Sequence, residues 1–415
     1  MNIVYFVYEY PPYVVGGLGT YAGYLTRELI RLGHDVTVLA MHTANTPTRD
    51  IHHGVEVHRP IVQNIDINLL LPMFIPEEIR RWSKEGQKYF GDMFLYNVLS
   101  ASKLVNDLVR SEHRAVDVIS CHDWLGSIGG ILASKGLNKP MVFHVHSTEH
   151  GRAGNGSQVV KRLERMAANS AVRVVTVSYA MRDHLVQLGF DERKIRVVYN
   201  GIDTERYAIS RFSSQTLTNV RQELGISQED LLIFFIGRLN WVKGADMLIQ
   251  AMPQIVQSIP RAKLLLVGIG DQQEMLKQDV ARLGLADNVI LKYEFLDEEQ
   301  KIKYYAAADV CVFPSKYEPF GIVCTEAMAL SKPVVVGARG ISGFREQIIP
   351  SGSNQCGFHI DPYNPSDIAE YLIKLLEDQT LRVKLGQNAR KRVEEVFTWP
   401  KIAENTIRVY EEAIL

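Results

Sequence analysis

Residues Val310–Val336 read VCVFPSKYEPFGIVCTEAMALSKPVVV, and this stretch decides the fold. It begins with a short apolar run at 310–313, which is typical of a strand buried on both faces of a parallel sheet. A polar loop follows, and from Gly321 the apolar residues recur with helical spacing. The residue before a proline avoids the helical conformation, so the helix should end before Pro333, where the next strand begins. The stretch therefore predicts a strand–loop–helix–strand unit of an α/β sheet.

The start of this helix is predicted to bind a phosphate. The N–H groups near Gly321, Ile322 and Val323 lack partners within the helix, and a helix N-terminus carries about half a positive charge. Glycine at 321 would let a ligand approach the backbone closely. Glu318 precedes the helix and Glu326 lies inside it, so the two carboxylates cannot share one helical face. We expect them to hold opposite ends of a ligand with a phosphate in its middle, and a nucleoside diphosphate sugar has this shape.

Strand and helix patterns alternate along the whole chain, which predicts mostly parallel sheets covered by helices. The predicted strands are Ile3–Tyr8, Val36–Ala40, Val55–Arg59, Val116–Cys121, Met141–His146, Val172–Val177, Ile195–Tyr199, Leu231–Gly237, Leu264–Val267, Val289–Tyr293, Val310–Phe313 and Val334–Val336. The segment 200–213 is polar and aperiodic, as in a linker, and we place the domain boundary near Tyr207. The sequence therefore predicts an N-terminal domain at 1–207, a C-terminal domain at 208–397 and a final helix at 398–415.

Length and composition limit the possible functions. The 415 residues are enough for two domains with separate cores, and the net charge of −1 with no basic cluster argues against a nucleic-acid partner. The four cysteines form no metal-binding or disulfide pattern, which predicts a reduced, metal-free protein. We find no secretory signal and no apolar run of about 20 residues, so we expect a cytoplasmic protein without a transmembrane segment. Peripheral contact with a membrane stays open.

The segment PSKYEPFGIVCTEAMALSKPVVV resembles the E-x7-E signature of retaining glycosyltransferases of family 4 and of the glycogen and starch synthase group. These enzymes have two Rossmann-like parallel-sheet lobes that face each other across a cleft, the GT-B fold. The resemblance implies that Glu318 holds the hexose hydroxyls of the donor and that Glu326 holds the ribose. It also implies that the C-terminal helix packs back on the first lobe.

The motif GRLNWVKG at 237–244 follows a predicted strand, and GRLxxxKG matches the same family closely. Exposed Arg and Lys side chains are usually only solvated charges. Here Arg238 and Lys243 would lie where the second sheet opens, and they could stabilise a departing diphosphate without a metal. The chain contains no DxD sequence, the usual carrier of a divalent ion in metal-dependent transferases. We therefore expect no metal and no cofactor.

Two motifs of the first half carry further candidates. Gly16–Gly19 reads GGLG and resembles the loop of the family in which Gly17 would approach the donor phosphate. The alternative of a dinucleotide-binding turn fits less well, because prolines separate these glycines from the first strand and no acidic residue ends the second strand. A purely structural turn stays open.

Histidines follow two predicted strands of the first half. HVHST at 144–148 resembles the family segment whose histidine contacts the donor hexose, which assigns this role to His146. CHDW at 121–124 resembles the HDW of glycogen synthases, so His122, Asp123 and Trp124 are expected to shape the acceptor side. Each histidine on its own would more often be a structural residue than a functional one.

Together these motifs predict a retaining transferase that moves a hexose, glucose in this interpretation, from a UDP- or ADP-sugar to an α-glucan. A small-molecule or lipid-linked envelope-glycan acceptor is the alternative within the family. A dinucleotide oxidoreductase and a non-catalytic sugar-binding protein are the alternatives from other classes. Retention by front-face attack, with the leaving phosphate helping to deprotonate the acceptor, is a further hypothesis.

Overall fold

A computed structural model describes residues 1–14, 16–43, 45–62, 76–154 and 156–415. These residues form two compact α/β units. Unit 1 comprises Met1–Gly201 and Trp399–Leu415, and unit 2 comprises Ile202–Thr398. Unit 1 is thus built from two separate parts of the chain, because its last helix follows unit 2 in the sequence.

Unit 1 contains an eight-stranded sheet of order β3-β4-β2-β1-β5-β6-β7-β8. Its strands are β1 Asn2–Phe6, β2 Asp35–Leu39, β3 Arg49–His52, β4 Val55–His58, β5 Val118–His122, β6 Met141–Val145, β7 Arg173–Thr176 and β8 Ile195–Val197. All neighbours are parallel except β3 and β4. Ile3 on β1 lies opposite both Val36 on β2 and Val118 on β5. The strand β1 is therefore central, and later strands are added on one side of it and then on the other. Such a reversal of strand order opens a crevice at the carboxyl ends of the strands.

Helices cover the faces of the unit 1 sheet, and a buried apolar cluster joins the strands to α1 and the C-terminal helix. The helices are α1 Gly17–Arg31, α2 Glu77–Arg80, α3 Lys84–Ser102, α4 Asp123–Leu137, α5 Glu149–Ala153, α6 Gln158–Ser170, α7 Tyr179–Gln187 and, after unit 2, α16 Trp399–Ile414. A π-helical segment continues α3 over Lys103–Ser111, and a short 3₁₀ turn covers Glu192–Lys194.

Unit 2 contains a fully parallel six-stranded sheet of order β11-β10-β9-β12-β13-β14. Its strands are β9 Leu231–Ile236, β10 Ala262–Val267, β11 Val289–Lys292, β12 Val310–Phe313, β13 Val334–Gly337 and β14 Gly357–Ile360. Its helices are α8 Ser214–Glu223, α9 Ala245–Ser258, α10 Gln273–Arg282, α11 Glu298–Ala307, α12 Ile322–Ala329, α13 Phe344–Gln347, α14 Pro365–Glu377 and α15 Gln379–Val396, with 3₁₀ turns at Ile209–Arg211 and Trp241–Lys243. The order reverses between β9 and β12, which places a crevice at their carboxyl ends.

The predicted fold class, two Rossmann-like parallel-sheet units, is confirmed by these sheets. Two strands were not predicted. β3 is a polar edge strand that pairs antiparallel with β4, and β14 is a four-residue strand at the opposite edge of its sheet. The units divide between 201 and 202 rather than near Tyr207, because the Tyr207 side chain is buried within unit 2 and donates a hydrogen bond to Glu326.

Among the helices that the structure describes, none combines the length and the apolar character that crossing a membrane requires. The four cysteines are buried and unpaired.

Candidate active site

The loops after β9 and β12 meet at the crevice of the unit 2 sheet. Gly244 has φ of +72°, and a Cβ at this position would lie 2.1 Å from the carbonyl oxygen of Pro314. The N–H of Lys316 donates to the carbonyl of Val242 over 2.7 Å. Glycine at 244 is therefore required both by the backbone angle and by the close approach of the two loops. This packing fixes the ends of the two predicted motifs against each other.

Lys243 and Glu318 form an ion pair at this junction. The Lys243 Nζ lies 2.5 Å from Glu318 Oε2, which also accepts from the Ser315 hydroxyl over 3.1 Å. The Glu318 side chain is 8% exposed, whereas the Lys243 side chain is 28% exposed. Among the described residues nothing donates to Glu318 Oε1. The structure therefore brings together two of the predicted catalytic residues and leaves one carboxylate oxygen available.

Arg238 differs from Lys243 although both lie on the loop after β9. Its side chain is exposed, and in the part of the chain that the structure describes it has neither an ion pair nor a hydrogen bond. The loop itself is well fixed, because Gly268 and Gly270 pack against the backbone carbonyls of Gly237 and Leu239. The Arg238 side chain thus has no partner among the described residues, and the loop that carries it is held in place.

Helix α12 begins at Ile322, with Gly321 as its N-cap, and no described side chain caps its N-terminus. The first N–H groups of a helix have no partner within it, so those of Ile322 and Val323 are available to a ligand. The reason for Gly321 differs from the one expected. Its φ is +92°, and a Cβ there would lie 2.1 Å from the ring of Phe344. The glycine is thus required for internal packing, whatever a ligand needs.

Glu326 lies inside α12 and is buried in a network of donors. Its Oε1 accepts from Lys301 Nζ over 2.7 Å and from the Tyr207 hydroxyl over 3.0 Å, and its Oε2 accepts from the Tyr305 hydroxyl over 3.0 Å. Burial opposes the charge of Lys301, but the carboxylates of Glu326 and Glu298 outweigh it and raise the pKa of this lysine. Each carboxylate oxygen accepts about two hydrogen bonds. The single hydrogens of Tyr207 and Tyr305 also have the Glu298 carboxylate and the Val323 carbonyl as acceptors, so Lys301 is the firmly committed donor and Glu326 keeps acceptor capacity for a ligand.

Gly17 in unit 1 is the first residue of α1 rather than part of a loop. Gly16 is the N-cap of this helix, and its N–H donates to Glu9 Oε2 over 2.9 Å. Within the described part of the chain no side chain caps this end of α1, and Gly17 is exposed. The residue is therefore placed with its backbone N–H at an accessible helix N-terminus, where an anion is favoured.

Three histidines lie together at the ends of β5 and β6. His122 and His144 are fully buried, whereas His146 is partly exposed at the edge of the group. His122 Nδ1 lies 3.2 Å from His146 Nε2. Burial lowers the pKa of all three rings, and for His122 and His144 neighbouring histidines lower it further. The rings are therefore neutral at ordinary pH, with His146 alone accessible.

The expected acceptor-side residues are mostly inaccessible. His122 is fully buried beneath His146 and stacks on Tyr5, so it can shape the expected acceptor side through His146 and not by direct contact. Trp124 is buried against Phe90 in an apolar cluster. Asp123 is buried, and its Oδ1 accepts from the backbone N–H of His146 over 2.8 Å. These residues support the position of His146 rather than forming a surface.

The nitrogens of the three histidines lie within 4.8 Å of one another, close enough to suggest a metal centre. Their rings, however, are nearly parallel, with interplanar angles of 18–26°. The lone pairs of an imidazole lie in its ring plane, and His122 Nδ1 and His146 Nε2 already face each other over 3.2 Å, the distance of an N–H···N hydrogen bond. We interpret the group as a hydrogen-bonded ring stack.

Sequence reasoning missed several residues of the site. Three of them surround Glu326. Lys301 and Tyr305 lie in helix α11, and Tyr207 lies in the linker segment, and neither segment carried a motif. The same is true of Tyr410 in α16, whose hydroxyl lies 3.1 Å from His144 Nε2. A bulky tyrosine in the polar segment 200–213 was the one signal that could have found Tyr207.

Comparison with known families gives two matches that divide the chain between them. The family described as Glycosyltransferase Family 4 matches residues 15–206, and the family described as Glycosyl transferases group 1 matches residues 218–392.

Three curated relatives align along almost the whole chain. An uncharacterized glycosyltransferase of Methanocaldococcus jannaschii is 33% identical over 419 residues, covering 100% of this chain and 99% of the relative. A glycogen synthase of Mycobacterium tuberculosis is 28% identical, covering 99% and 94%. An alpha-maltose-1-phosphate synthase of Mycolicibacterium smegmatis is 29% identical, covering 99% of each.

Among solved structures, sucrose-phosphate synthase from Thermosynechococcus elongatus superposes with a TM-score of 0.77 at 23% identity, covering 99% of this chain and 98% of that chain. This likeness supports the fold.

Proposed function

The chain belongs to the glycosyltransferases, and from this premise we propose that it transfers glucose from a nucleoside diphosphate sugar to an α-glucan with retention of configuration. The observation that carries the proposal is the junction of Lys243, Glu318 and the uncapped N-terminus of α12. One cation, one carboxylate and a set of free N–H groups lie on neighbouring loops, and a glycosyl diphosphate requires these three kinds of group.

Arg238 and Lys243 are proposed to stabilise the diphosphate as it leaves. Arg238 has no ion pair with any residue that the structure describes, and its planar guanidinium suits a bidentate contact with phosphate. Lys243 has three donors, so it can keep its contact with Glu318 and still bind an oxygen of the phosphate. The two cations and the amides of Ile322 and Val323 would neutralise the charge, which supports a mechanism without a metal.

Glu318 is proposed to orient the hexose instead of attacking it. Lys243 and Ser315 both contact its Oε2, and Oε1 is left to accept a sugar hydroxyl. A carboxylate that is held by a lysine at 2.5 Å is a weakened nucleophile. This favours front-face attack by the acceptor, with the leaving phosphate taking its proton. Trapping a glycosyl ester on Glu318 would contradict this part of the proposal.

Glu326 is proposed to bind the donor ribose, with one limit that the sequence did not show. Lys301 and the Tyr207 hydroxyl contact Oε1, and the Tyr305 hydroxyl contacts Oε2. A ribose hydroxyl can therefore bind Oε2 beside Tyr305, whereas a second one on Oε1 would have to turn the Tyr207 hydrogen toward Glu298, which it also contacts.

In unit 1 we propose that the N–H of Gly17 contacts the donor phosphate and that His146 contacts the hexose. Gly17 is exposed at the start of α1, and His146 is the accessible member of its group. Asp123 holds the backbone of His146 in place. The buried and unpaired cysteines fit a reducing compartment, so we propose that the enzyme acts in the cytoplasm.

The relative named glycogen synthase supports an α-glucan acceptor. The relative named alpha-maltose-1-phosphate synthase, at similar identity, favours a phosphorylated sugar as the second candidate acceptor.

The test is to incubate purified protein with UDP-glucose and ADP-glucose, and to follow nucleotide release with no acceptor, with glycogen and with glucose 1-phosphate. We expect release to increase with one acceptor and the new linkage to be α by NMR. The Glu318→Gln variant is the control for contaminating activity. A β linkage would refute retention, and an unchanged rate with both acceptors would refute both acceptor assignments.

A further inference from the structure

A chain of buried hydrogen bonds connects helix α16 to the accessible histidine of unit 1. Tyr410 donates its hydroxyl hydrogen to Ser120 Oγ over 2.9 Å, and Ser120 Oγ lies 3.0 Å from His122 Nε2. His122 Nδ1 in turn lies 3.2 Å from His146 Nε2. Apart from His146, the members of the chain are buried, so each hydrogen in it must find an acceptor within the protein.

The hydrogen positions near Tyr410 follow from counting donors. Tyr410 has one hydrogen, and it goes to Ser120. The Tyr410 oxygen must then accept from its other two neighbours, the Tyr5 hydroxyl at 2.8 Å and His144 Nε2 at 3.1 Å. His144 therefore carries its proton on Nε2, and its Nδ1 accepts from the Tyr21 hydroxyl at 3.4 Å. This arrangement satisfies every group named at this end of the chain.

The same count continues toward His146. The Ser120 oxygen already accepts from Tyr410, and we assign its own hydrogen to His122 Nε2, which lies 3.0 Å away. His122 then carries its proton on Nδ1 and donates it to His146 Nε2. A neutral His146 whose Nε2 accepts must carry its proton on Nδ1. The reverse polarity would send the Ser120 hydrogen to Tyr410 and the Tyr410 hydrogen to His144 Nε2, against the direction in which Tyr410 donates to Ser120.

We infer that the Tyr410 hydroxyl sets the tautomer of His146, which faces its ligand as an Nδ1–H donor. Tyr410 is thus a positioning residue, since it acts through Ser120 and His122. If the proposed function holds, His146 donates a hydrogen bond to an oxygen of the donor sugar and does not serve as a general base. The role of Asp123 is complementary, because it fixes the backbone of His146 whereas the chain fixes the ring.

The test uses ¹⁵N-histidine-labelled full-length protein without ligand, at about pH 8, where the rings are neutral. Long-range ¹H–¹⁵N correlation distinguishes protonated from unprotonated ring nitrogens, and the His146→Gln spectrum identifies the His146 signals. We expect a protonated Nδ1 and an unprotonated Nε2 in the wild type. Finding the proton on Nε2 would overturn the inference.

Variants test the part that Tyr410 plays. Tyr410→Phe and Ser120→Ala should turn the single His146 tautomer into a mixture of both. The matched control is Tyr96→Phe, which removes an equally buried hydroxyl bonded to the Leu39 carbonyl. This control should leave the His146 spectrum unchanged. An unchanged spectrum in folded Tyr410→Phe would also refute the inference.

Activity provides a second measurement. Tyr410→Phe should lower kcat about tenfold, the effect of one hydrogen bond of ordinary strength in the transition state, with KM for the acceptor unchanged. Tyr96→Phe should keep kcat. The spectra do not depend on the donor or the acceptor, so failure of the proposed function would leave the tautomer assignment standing and would be recognised as separate.

Discussion

Replacing the two proposed diphosphate-binding cations should affect the protein in two different ways. Lys243→Gln and Arg238→Gln each remove one positive charge from the loop after β9. We expect each to lower kcat by about 10²–10³, the usual effect of losing one group that stabilises transition-state charge. Their effects on stability should differ, because Lys243 is paired with Glu318 and Arg238 is unpaired.

The stability cost follows from the surroundings of Glu318. After Lys243→Gln its carboxylate is still largely buried, at 8% exposure, and Ser315 is its remaining side-chain donor. Losing a charged hydrogen bond to such a group costs about 2–3 kcal/mol. Breaking a fully buried ion pair costs about 3–5 kcal/mol, and the partial exposure of Lys243 places this pair below that range. For a unit of this size we expect Tm to fall by about 4–12 °C.

Calorimetry on the two single variants and on Lys243→Gln/Glu318→Gln measures this difference. Arg238→Gln is the matched control and should keep Tm within about 2 °C, since it alters an exposed side chain. The double variant should recover most of the lost stability, because the unpaired charge is gone, yet stay inactive. The reasoning is refuted if both single variants melt together, or if the double variant melts below Lys243→Gln.

Three further outcomes are expected. In urea denaturation, Gly352→Ala, at φ +86° in open space, should lower the free energy of unfolding by about 1–2 kcal/mol. Gly321→Ala, with a similar φ and a 2.1 Å clash, should lower it by about 2–5 kcal/mol. Equal losses would contradict the packing role of Gly321. Lys301→Met should destabilise unit 2 by about 3 kcal/mol and weaken UDP or ADP binding in calorimetry, because it leaves Glu326 unpaired; an unchanged Kd would argue against the ribose role. Burial raises the pKa of Glu164 from its usual 4.5 to about 7, so the folded state binds this proton more tightly than the unfolded state. The free energy of unfolding should therefore fall by about 3 kcal/mol as pH rises from about 5 to 8. Parallel curves of unfolding free energy against pH for wild type and Glu164→Gln would contradict this.

The sequence predicted most of the second sheet because its signals are local. The strand at Val310–Phe313 was predicted with its observed bounds, and α12 begins one residue after Gly321. A buried parallel strand is a continuous apolar run, and a glycine before a helix is a strong boundary signal. Polar edge strands such as β3 give neither signal, and pairing with β4 is what makes β3 a strand.

The site was predicted only in part, because sequence signals are local. The motifs indicated which side chains carry charge, and the structure brings Lys243 and Glu318 together although 75 positions separate them. Burial, however, depends on contacts that no spacing shows. Tyr5 covers His122, and Lys301 and Tyr207 occupy most of Glu326. These partners come from other elements, so neither the inaccessibility of His122 nor the limited capacity of Glu326 could be predicted.

The divided course of unit 1 has a consequence for how the protein is made. Until the ribosome has added α16, Tyr5 and His144 lack their partner Tyr410, and the apolar face that Trp399 and Ile402 cover is open to water. Unit 2, whose chain is continuous, is finished earlier. Synthesis therefore produces a period in which the later domain can fold while the earlier one waits for its last helix, and a nascent chain stalled near residue 398 should need a chaperone for its first half rather than for its second.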